Sequence, residues 1–327
     1  MSLQSRIGHL VVLAVLAGVV MLCVGAGPAS AAWPGKNGPI LFAGGDAGSG
    51  SGLWSIRASA KGLRQLTSNP TDSEVQTSPD GRWIVFTRTV ETGGESVRHI
   101  FIARANGSGV TEVTTGSVFD RTPSFTRSGR RILFTRFVRA SGEKAHDVEH
   151  IFSIRRDGGG LRRLTSGPFS DRGPVMSPNG RIVAFERAGV VGVSPHVYTM
   201  RPNGSRVVDA TPKLAAWSSQ PDFSPSGNRI AFVRGYPGAS NADLFTMRPN
   251  GRGWRRLTGR AHNPLGGFSN PSFSPNGRFV VAERSTESSF SSRLWVIRVR
   301  DRSRVRTLGG RRAPRSPSMQ DPAWIVG

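Results

Sequence analysis

Hydrophobic residues along this chain gather in short runs rich in Ile, Val, Phe and Thr, each bounded by polar turns and no longer than about 4–8 residues, the signature of strands. After the N-terminus no stretch of 10 or more residues carries helical periodicity. Five of the runs are opened by a turn with glycine in its fourth place. They read S-P-D-G-R-W-I-V-F at 78–86, T-R-S-G-R-R-I-L-F at 126–134, S-P-N-G-R-I-V-A-F at 177–185, S-P-S-G-N-R-I-A-F at 224–232 and S-P-N-G-R-F-V-V-A at 274–282. The turn chemistry is sound, since proline presets one dihedral, Asn or Asp tolerates left-handed geometry, and glycine takes positive φ freely. Gly81, Gly129, Gly180, Gly227 and Gly277 stand 48, 51, 47 and 50 residues apart, and self-similarity at such a period marks a radial or stacked array.

Each unit holds four pieces in one order. In the unit around residues 220–258, a short strand at 220–223 is followed by Ser-Pro-Ser-Gly, a strand at 229–234, a loop, a strand at 243–248, a Pro-Asn-Gly turn, and a strand ending in Arg-Leu-Thr at Thr258. Four short antiparallel strands in roughly 40–50 residues predict a propeller blade. The ends complete the count. Residues 36–42 read as half a turn and a second strand, while 53–57 and 63–67 read as the third and fourth. The missing first strand stands at the C-terminus, where Asp321-Pro322-Ala323-Trp324 matches Gln220-Pro221-Asp222-Phe223 and Asn270-Pro271-Ser272-Phe273. The expected fold is all-β, a six-bladed β-propeller of four-stranded antiparallel blades. Its ring is closed by the C-terminal strand joining the N-terminal blade, which removes the open sheet edges.

These units resemble the WD40-like propeller repeats of the TolB-type family, with its pattern P-x-[WF]-S-P-[DN]-G…I-x-F…[RL]-L-T, over about residues 36–327. The resemblance implies the propeller fold, and an array of such repeats is usually a scaffold for a binding surface. Related repeats occur in prolyl-oligopeptidase-like enzymes, but no G-x-S-x-G elbow is present here. The G-S-G-S-G run at 48–52 puts serines at the wrong places and reads as a flexible loop. No phosphate-cradling motif, H-E-x-x-H or dinucleotide fingerprint occurs, so no cofactor is expected and catalysis is not the leading expectation. The catalytic alternative is a channel-mouth hydrolase or lyase with Asp120, Asp171 or Glu74 as base.

Residues 1–32 read as a signal peptide. Arg6 supplies positive charge, 10–24 is an apolar run of about 15 residues, and Ala29-Ser30-Ala31 gives a small-x-small cleavage pattern. Cleavage after Ala31 or Ala32 leaves a mature chain starting near Trp33, a single propeller over 33–327. The apolar run falls short of the ~20 residues of a spanning helix, so no transmembrane span is expected after cleavage. Cys23 lies in the leader, which leaves the mature chain without disulfide or thiol chemistry. The expectation is a monomer exported to the periplasm, cell surface or medium, whose partner is an envelope protein or peptide.

The formal charge is +23, and Lys36, Lys61, Lys144 and Lys213 are the only lysines among 44 basic residues. The densest arginine block holds Arg298, Arg300, Arg302, Arg304, Arg306, Arg311, Arg312 and Arg315 against one acid, Asp301. It is either a set of solvated blade-edge charges that block edge pairing or a site for an anionic wall polymer or acidic glycan. With no aromatic-interleaved motif, nucleic acid is not an expected partner.

Aligning the units on their proline column places candidate residues around the mouth of the central channel. One level holds Asp72, Asp120 and Asp171, then Ser218, Phe268 and Met319, and the next holds Arg121 and Arg172. The level against the proline holds Glu74, Thr122, Gly173, Gln220, Asn270 and Asp321. The candidate ligand-binding set is therefore Asp72, Glu74, Asp120, Arg121, Asp171, Arg172, Gln220, Asn270 and Asp321, suited to a short peptide, a basic side chain or a sugar. The bland alternative is that the aspartates pair with neighbouring blades or cap local turns. His99, His150 and His196 recur at one place in three consecutive units and read as polar strand-start residues. His146 and His150 fall on one side of an extended strand or one helical turn apart, and either geometry could hold zinc, but a solvated loop is the stronger reading and no metal site is expected.

Overall fold

The computed structural model describes residues 32–46, 50–139, 148–189, 194–212, 216–235, 242–258, 267–286, 289–308 and 318–327. All its regular elements are strands, and they form six four-stranded antiparallel sheets. The first blade joins β1 (Asn37–Asp46), β2 (Gly50–Ile56) and β3 (Arg64–Gln65) to β24 (Ser318–Val326) in the order β24-β1-β2-β3. The C-terminal strand therefore enters the N-terminal blade as its innermost strand, with Ile40 opposite Trp324 and Leu41 opposite Ala323. The second blade runs β4 (Ser73–Thr77), β5 (Trp83–Thr92), β6 (Glu95–Arg104) and β7 (Thr111–Glu112) from the centre outward. The third to sixth blades repeat this order, with inner strands β8 (Asp120–Phe125), β12 (Ser170–Met176), β16 (Ser218–Phe223) and β20 (Phe268–Phe273). The predicted architecture and closure are both present. Among the described residues no helix is long and apolar enough to cross a membrane.

Each repeated motif has a bonding duty. In the S-P-x-G turn the serine hydroxyl accepts the N–H that starts the second strand: Trp83 to Ser78 at 2.9 Å, Ile182 to Ser177 at 3.0 Å, Phe279 to Ser274 at 3.0 Å. A threonine just after each of five fourth strands, preceded by Leu, Val or Ala, turns its Oγ1 back to accept a third-strand N–H that the very short fourth strand leaves uncovered. Thr67, Thr114, Thr165, Thr211 and Thr258 take the N–H groups of Leu53, Ile100, Ile151, Val197 and Leu244 at 2.9–3.1 Å. The glycines of the outer hairpins let one blade lie directly on the previous one. A Cβ on Gly107, Gly204 or Gly251, all at positive φ, would collide with the carbonyl oxygens of Leu66, Leu164 and Ala210.

The apolar clusters run across neighbouring blades. Phe86, Phe134, Phe185 and Phe232 occupy one position in four successive second strands and are fully buried. Each contributes roughly 2–3 kcal/mol of transfer free energy. Outer strands carry polar pairs instead. His99 meets Glu112 at 2.5 Å and His196 meets Asp209 at 2.9 Å, whereas in the fifth blade Asp243 pairs with Arg256. In the third blade His150 is buried with neither ring nitrogen hydrogen-bonded, and burial together with Arg163 holds its pKa below the usual value. The three aligned histidines thus serve separate blades, and the strand-start expectation holds for His196, whereas His150 is the third residue of its strand and His99 lies in the middle of β6, whose hairpin with β5 extends further. Among the described residues no group of three His, Cys, Asp or Glu side chains could hold a metal, and His146 lies outside them.

Candidate functional site

The inner strands share one irregularity. Register shifts interrupt every pairing of an inner strand with its second strand, between Ser73 and Gln76, Arg121 and Ser124, Arg172 and Val175, Ser219 and Asp222, Ser269 and Ser272, and at the matching place in β24. At each bulge stands the residue before the proline column, and all six are left-handed: Glu74, Thr122, Gly173, Gln220, Asn270 and Asp321, with φ between 49° and 60°. A non-glycine residue with positive φ is uncommon and costs about 1 kcal/mol or more. Here the geometry turns the backbone N–H groups of Glu74, Thr122, Gly173, Gln220 and Asn270 toward acceptors on the neighbouring blade.

Those N–H groups form a relay around the channel. The Glu74 N–H donates to Asp321 at 3.1 Å, the Thr122 N–H to Glu74 at 2.7 Å, and the Gly173 N–H to the Thr122 hydroxyl at 3.3 Å. Gly173 has no side chain to continue the relay, and Glu186 from the adjacent strand accepts the Gln220 N–H in its place. Gln220 then accepts from the Asn270 N–H at 2.9 Å, and the Asn270 amide donates to Asp321 at 2.9 Å, which completes the circle. The ring predicted at this level is present, and its carboxylates and amides bind the blades to one another.

Charge around the ring is uneven. On one side Asp321, Glu74 and Glu283 stand together, with Arg98 3.7 Å from Glu74. Burial, reinforced by Glu74 and Glu283, raises the Asp321 pKa to about 8. On the other side Arg121 bonds Glu149 at 2.5 Å, and Arg172 lies 3.0 Å from Glu186 and 3.7 Å from Glu149. Burial lifts the Glu186 pKa while Arg172 and Arg121 oppose the shift. For Asp321, a folded-state pKa near 8 against 3.8 unfolded means the native state binds the extra proton between those values. Its contribution to stability therefore declines as pH rises from about 4 to about 8. Asp321→Asn is expected to flatten that decline, read as the difference between denaturation midpoints at pH 5 and pH 8. An unchanged pH slope would refute the assignment.

Asp72, Asp120 and Asp171 stand one level above the ring, and each is held as an internal salt bridge. Arg88, Arg136 and Arg187, each 16 residues later in the second strand, grip them through two bonds of 2.6–2.9 Å, with the aspartate side chains fully buried. The guanidinium groups also lie over aromatic rings, Arg88 4.9 Å from the Phe101 centroid and Arg187 5.1 Å from Tyr198. The sequence reading missed these partners, although an Arg two residues after the buried Phe recurs in the second strands of four blades. In the arginine block, Arg298 pairs with Asp301 at 3.0 Å, the Arg300 carbonyl accepts from Arg255, and Arg302 has φ of 61°. Arg304 and Arg306 lie on β23 (Arg304–Leu308), and Arg311, Arg312 and Arg315 lie outside the described residues.

The opposite end of the channel is occupied by the chain itself. The Ala32 N–H donates to the Phe223 carbonyl at 3.3 Å, the Trp33 indole to the Thr77 carbonyl at 3.3 Å, and the Gly35 N–H to the Pro275 carbonyl at 3.2 Å. These acceptors sit where β4 and β16 end and in the turn after β20. Ala32 and Trp33 are 3% exposed, so the segment plugs the turn face. A separate cleft of about 730 Å³ lies where the first two blades meet, lined by Thr67, Asn69, Arg88 and Gly107 among others.

Comparison with known proteins agrees with this architecture. No functionally curated protein matches the chain. Among solved structures, TolB from Acinetobacter baumannii superposes with a TM-score of 0.66 at 20% identity over 88% of this chain and 66% of that one. Kuenenia stuttgartiensis hydrazine synthase gives 0.70 at 14% identity over 89% and 47%. Oligogalacturonate lyase from Vibrio parahaemolyticus gives 0.58 at 11% over 86% and 78%. The chain thus spans just under two thirds of that TolB and about half of the hydrazine synthase, and at these identities the likeness is one of fold. The TolB beta propeller domain family matches residues 140–326, more than half of the sequence, and the chain belongs to that family.

Proposed function

We propose that this protein is an exported, non-catalytic propeller that binds a protein or peptide partner at the cell envelope through the channel mouth and the long-loop face around it. The observation that carries this reading is the contrast between the two ends of the channel. The turn face is filled by residues 32–35, while the other end presents a ring with Asp321, Glu74 and Glu283 gathered on one side. A lysine or arginine side chain is the natural complement of that side. It would draw the Asp321 proton off and replace like-charge repulsion with attraction. The ring carboxylates are committed to interblade bonds, which suits recognition better than proton transfer to a substrate. Export is supported by the apolar leader and its small-x-small sequence before residue 32.

The test is calorimetric titration of the chain beginning at Ala32 with a set of short peptides differing in basic content, in two buffers of unlike ionisation enthalpy. Peptides bearing Lys or Arg are expected to bind with release of up to one proton near pH 7. Asp321→Asn is expected to weaken them at least tenfold and abolish the release. Peptide binding indifferent to this substitution sinks the reading. So does preferential capture of wall polymer that is lost as salt rises, which would shift function to the arginine surface.

A further inference from the structure

Asp222 is buried in the wall of the channel, fully inside the fold. Its Oδ2 accepts the Phe273 N–H at 2.6 Å, and its Oδ1 is buried with no hydrogen-bond partner. The groups that favour its charged form are backbone N–H donors, those of Phe273, Ala32 and Phe223, and none is a cationic side chain. Burial accordingly pushes its carboxyl well above the usual range. A buried carboxylate without a counter-ion is expensive, and the other blades avoid one, with Gln76, Ser124, Val175, Ser272 and Ala323 at the same place.

The donor nearest to supplying that counter-ion is the Ala32 nitrogen. It donates to the Phe223 carbonyl at 3.3 Å while also favouring the Asp222 charge. As an amide it has one proton for two acceptors, whereas a free α-ammonium group has three. Its position is fixed from the C-terminal side, because Trp33 and Gly35 are anchored to Thr77 and Pro275. Immediately before it stand Ala29-Ser30-Ala31.

We infer that the leader is removed between Ala31 and Ala32, and that the amino group so released is the counter-ion of the buried Asp222 carboxylate, so that processing completes the closed end of the channel. The inference rests on the export reading above. Its chemistry is hydrolysis by a leader-cleaving endopeptidase acting on the unfolded chain. Water adds across the Ala31–Ala32 peptide bond, leaving a carboxylate on Ala31 and an ammonium group on Ala32. Cleavage one residue later would delete the nitrogen that faces Asp222.

Mass spectrometry of the N-terminus in cell, envelope and medium fractions tests the cleavage. A start at Ala32 outside the cytoplasm is expected. An exported chain starting elsewhere overturns the inference and leaves export standing, whereas an unprocessed chain confined to the cytoplasm removes both. The ion pair is tested on chains beginning at Ala32 with a free or an acetylated amino group. Acetylation is expected to raise the unfolding equilibrium constant at least tenfold, since it strips a buried charge of its partner. In an Asp222→Ser variant, which carries the residue that two other blades use, acetylation is expected to change it less than twofold. Equal effects in the two backgrounds would overturn the pairing. Asp222→Asn serves as the second background if the serine variant does not fold.

Discussion

A chain ending at residue 317 is expected to lose cooperative folding altogether. The missing strand β24 is the inner strand of the first blade, and it brings Trp324, Met319 and Ala323 into the core along with the Asp321 bonds that join two neighbouring blades. Burial of the two large side chains contributes roughly 2–3 kcal/mol each. The opened ring also loses the pairing of β1 and the contacts of the adjoining blades. The sum rivals the roughly 5–15 kcal/mol that holds an ordinary domain together. Urea denaturation followed by tryptophan fluorescence should show a broad, non-sigmoidal change. Adding residues 318–327 as a separate peptide should restore a cooperative transition, because the strand is held by non-covalent pairing, packing and the Asp321 bonds, all of which a free peptide can supply. A truncated chain with an unaltered midpoint would mean that closure is not what stabilises the ring.

Asp120→Ala is expected to cost about 3 kcal/mol, the largest effect of a single substitution near the channel. It leaves the largely buried Arg136 lying over the Phe134 and Phe152 rings with no carboxylate to grip. Arg136→Ala should cost a similar amount by stranding the Asp120 charge. The double variant should be far less than additive, because the penalty in each single variant lies mainly in the partner left behind. Additive losses would show that the pair is not coupled. This is also where the two roles offered for Asp72, Asp120 and Asp171 separate. A residue engaged by a bidentate arginine and fully buried acts on the scaffold, so Asp120 substitutions should change stability without a specific change in peptide affinity, whereas Asp321→Asn should change affinity as well as the pH dependence of stability.

The blades and their closure were readable because turn and strand announce themselves locally. The S-P-x-G turn fixes where a second strand starts, and the matching proline columns at 220–223 and 321–324 reveal that one blade is divided between the ends. The ring was readable only as a level in the alignment. Nothing about Glu74, Thr122 or Gln220 advertises left-handed geometry, which only Gly173, Asn270 and Asp321 hint at by residue type. That conformation is imposed by the need to hand these N–H groups to the neighbouring blade, a tertiary demand that overrides residue preference. Trp33 posed the same difficulty. Sequence places it at the start of the mature chain, but only the assembled ring shows the hole that it fills.

The unlike pairs on the outer strands bear on how such a chain avoids assembling wrongly. Six units so alike in length and turn chemistry invite a fourth strand to dock on the third strand of another blade, the characteristic failure of repeat proteins. The facing residues penalise such exchanges. Glu112 suits His99, but opposite Asp243 it would set acid against acid; Arg256 suits Asp243, but against His196 it would lose its counter-ion. The outer edge thus sets the fifth blade apart from the second and fourth by charge, a distinction the apolar interior cannot supply.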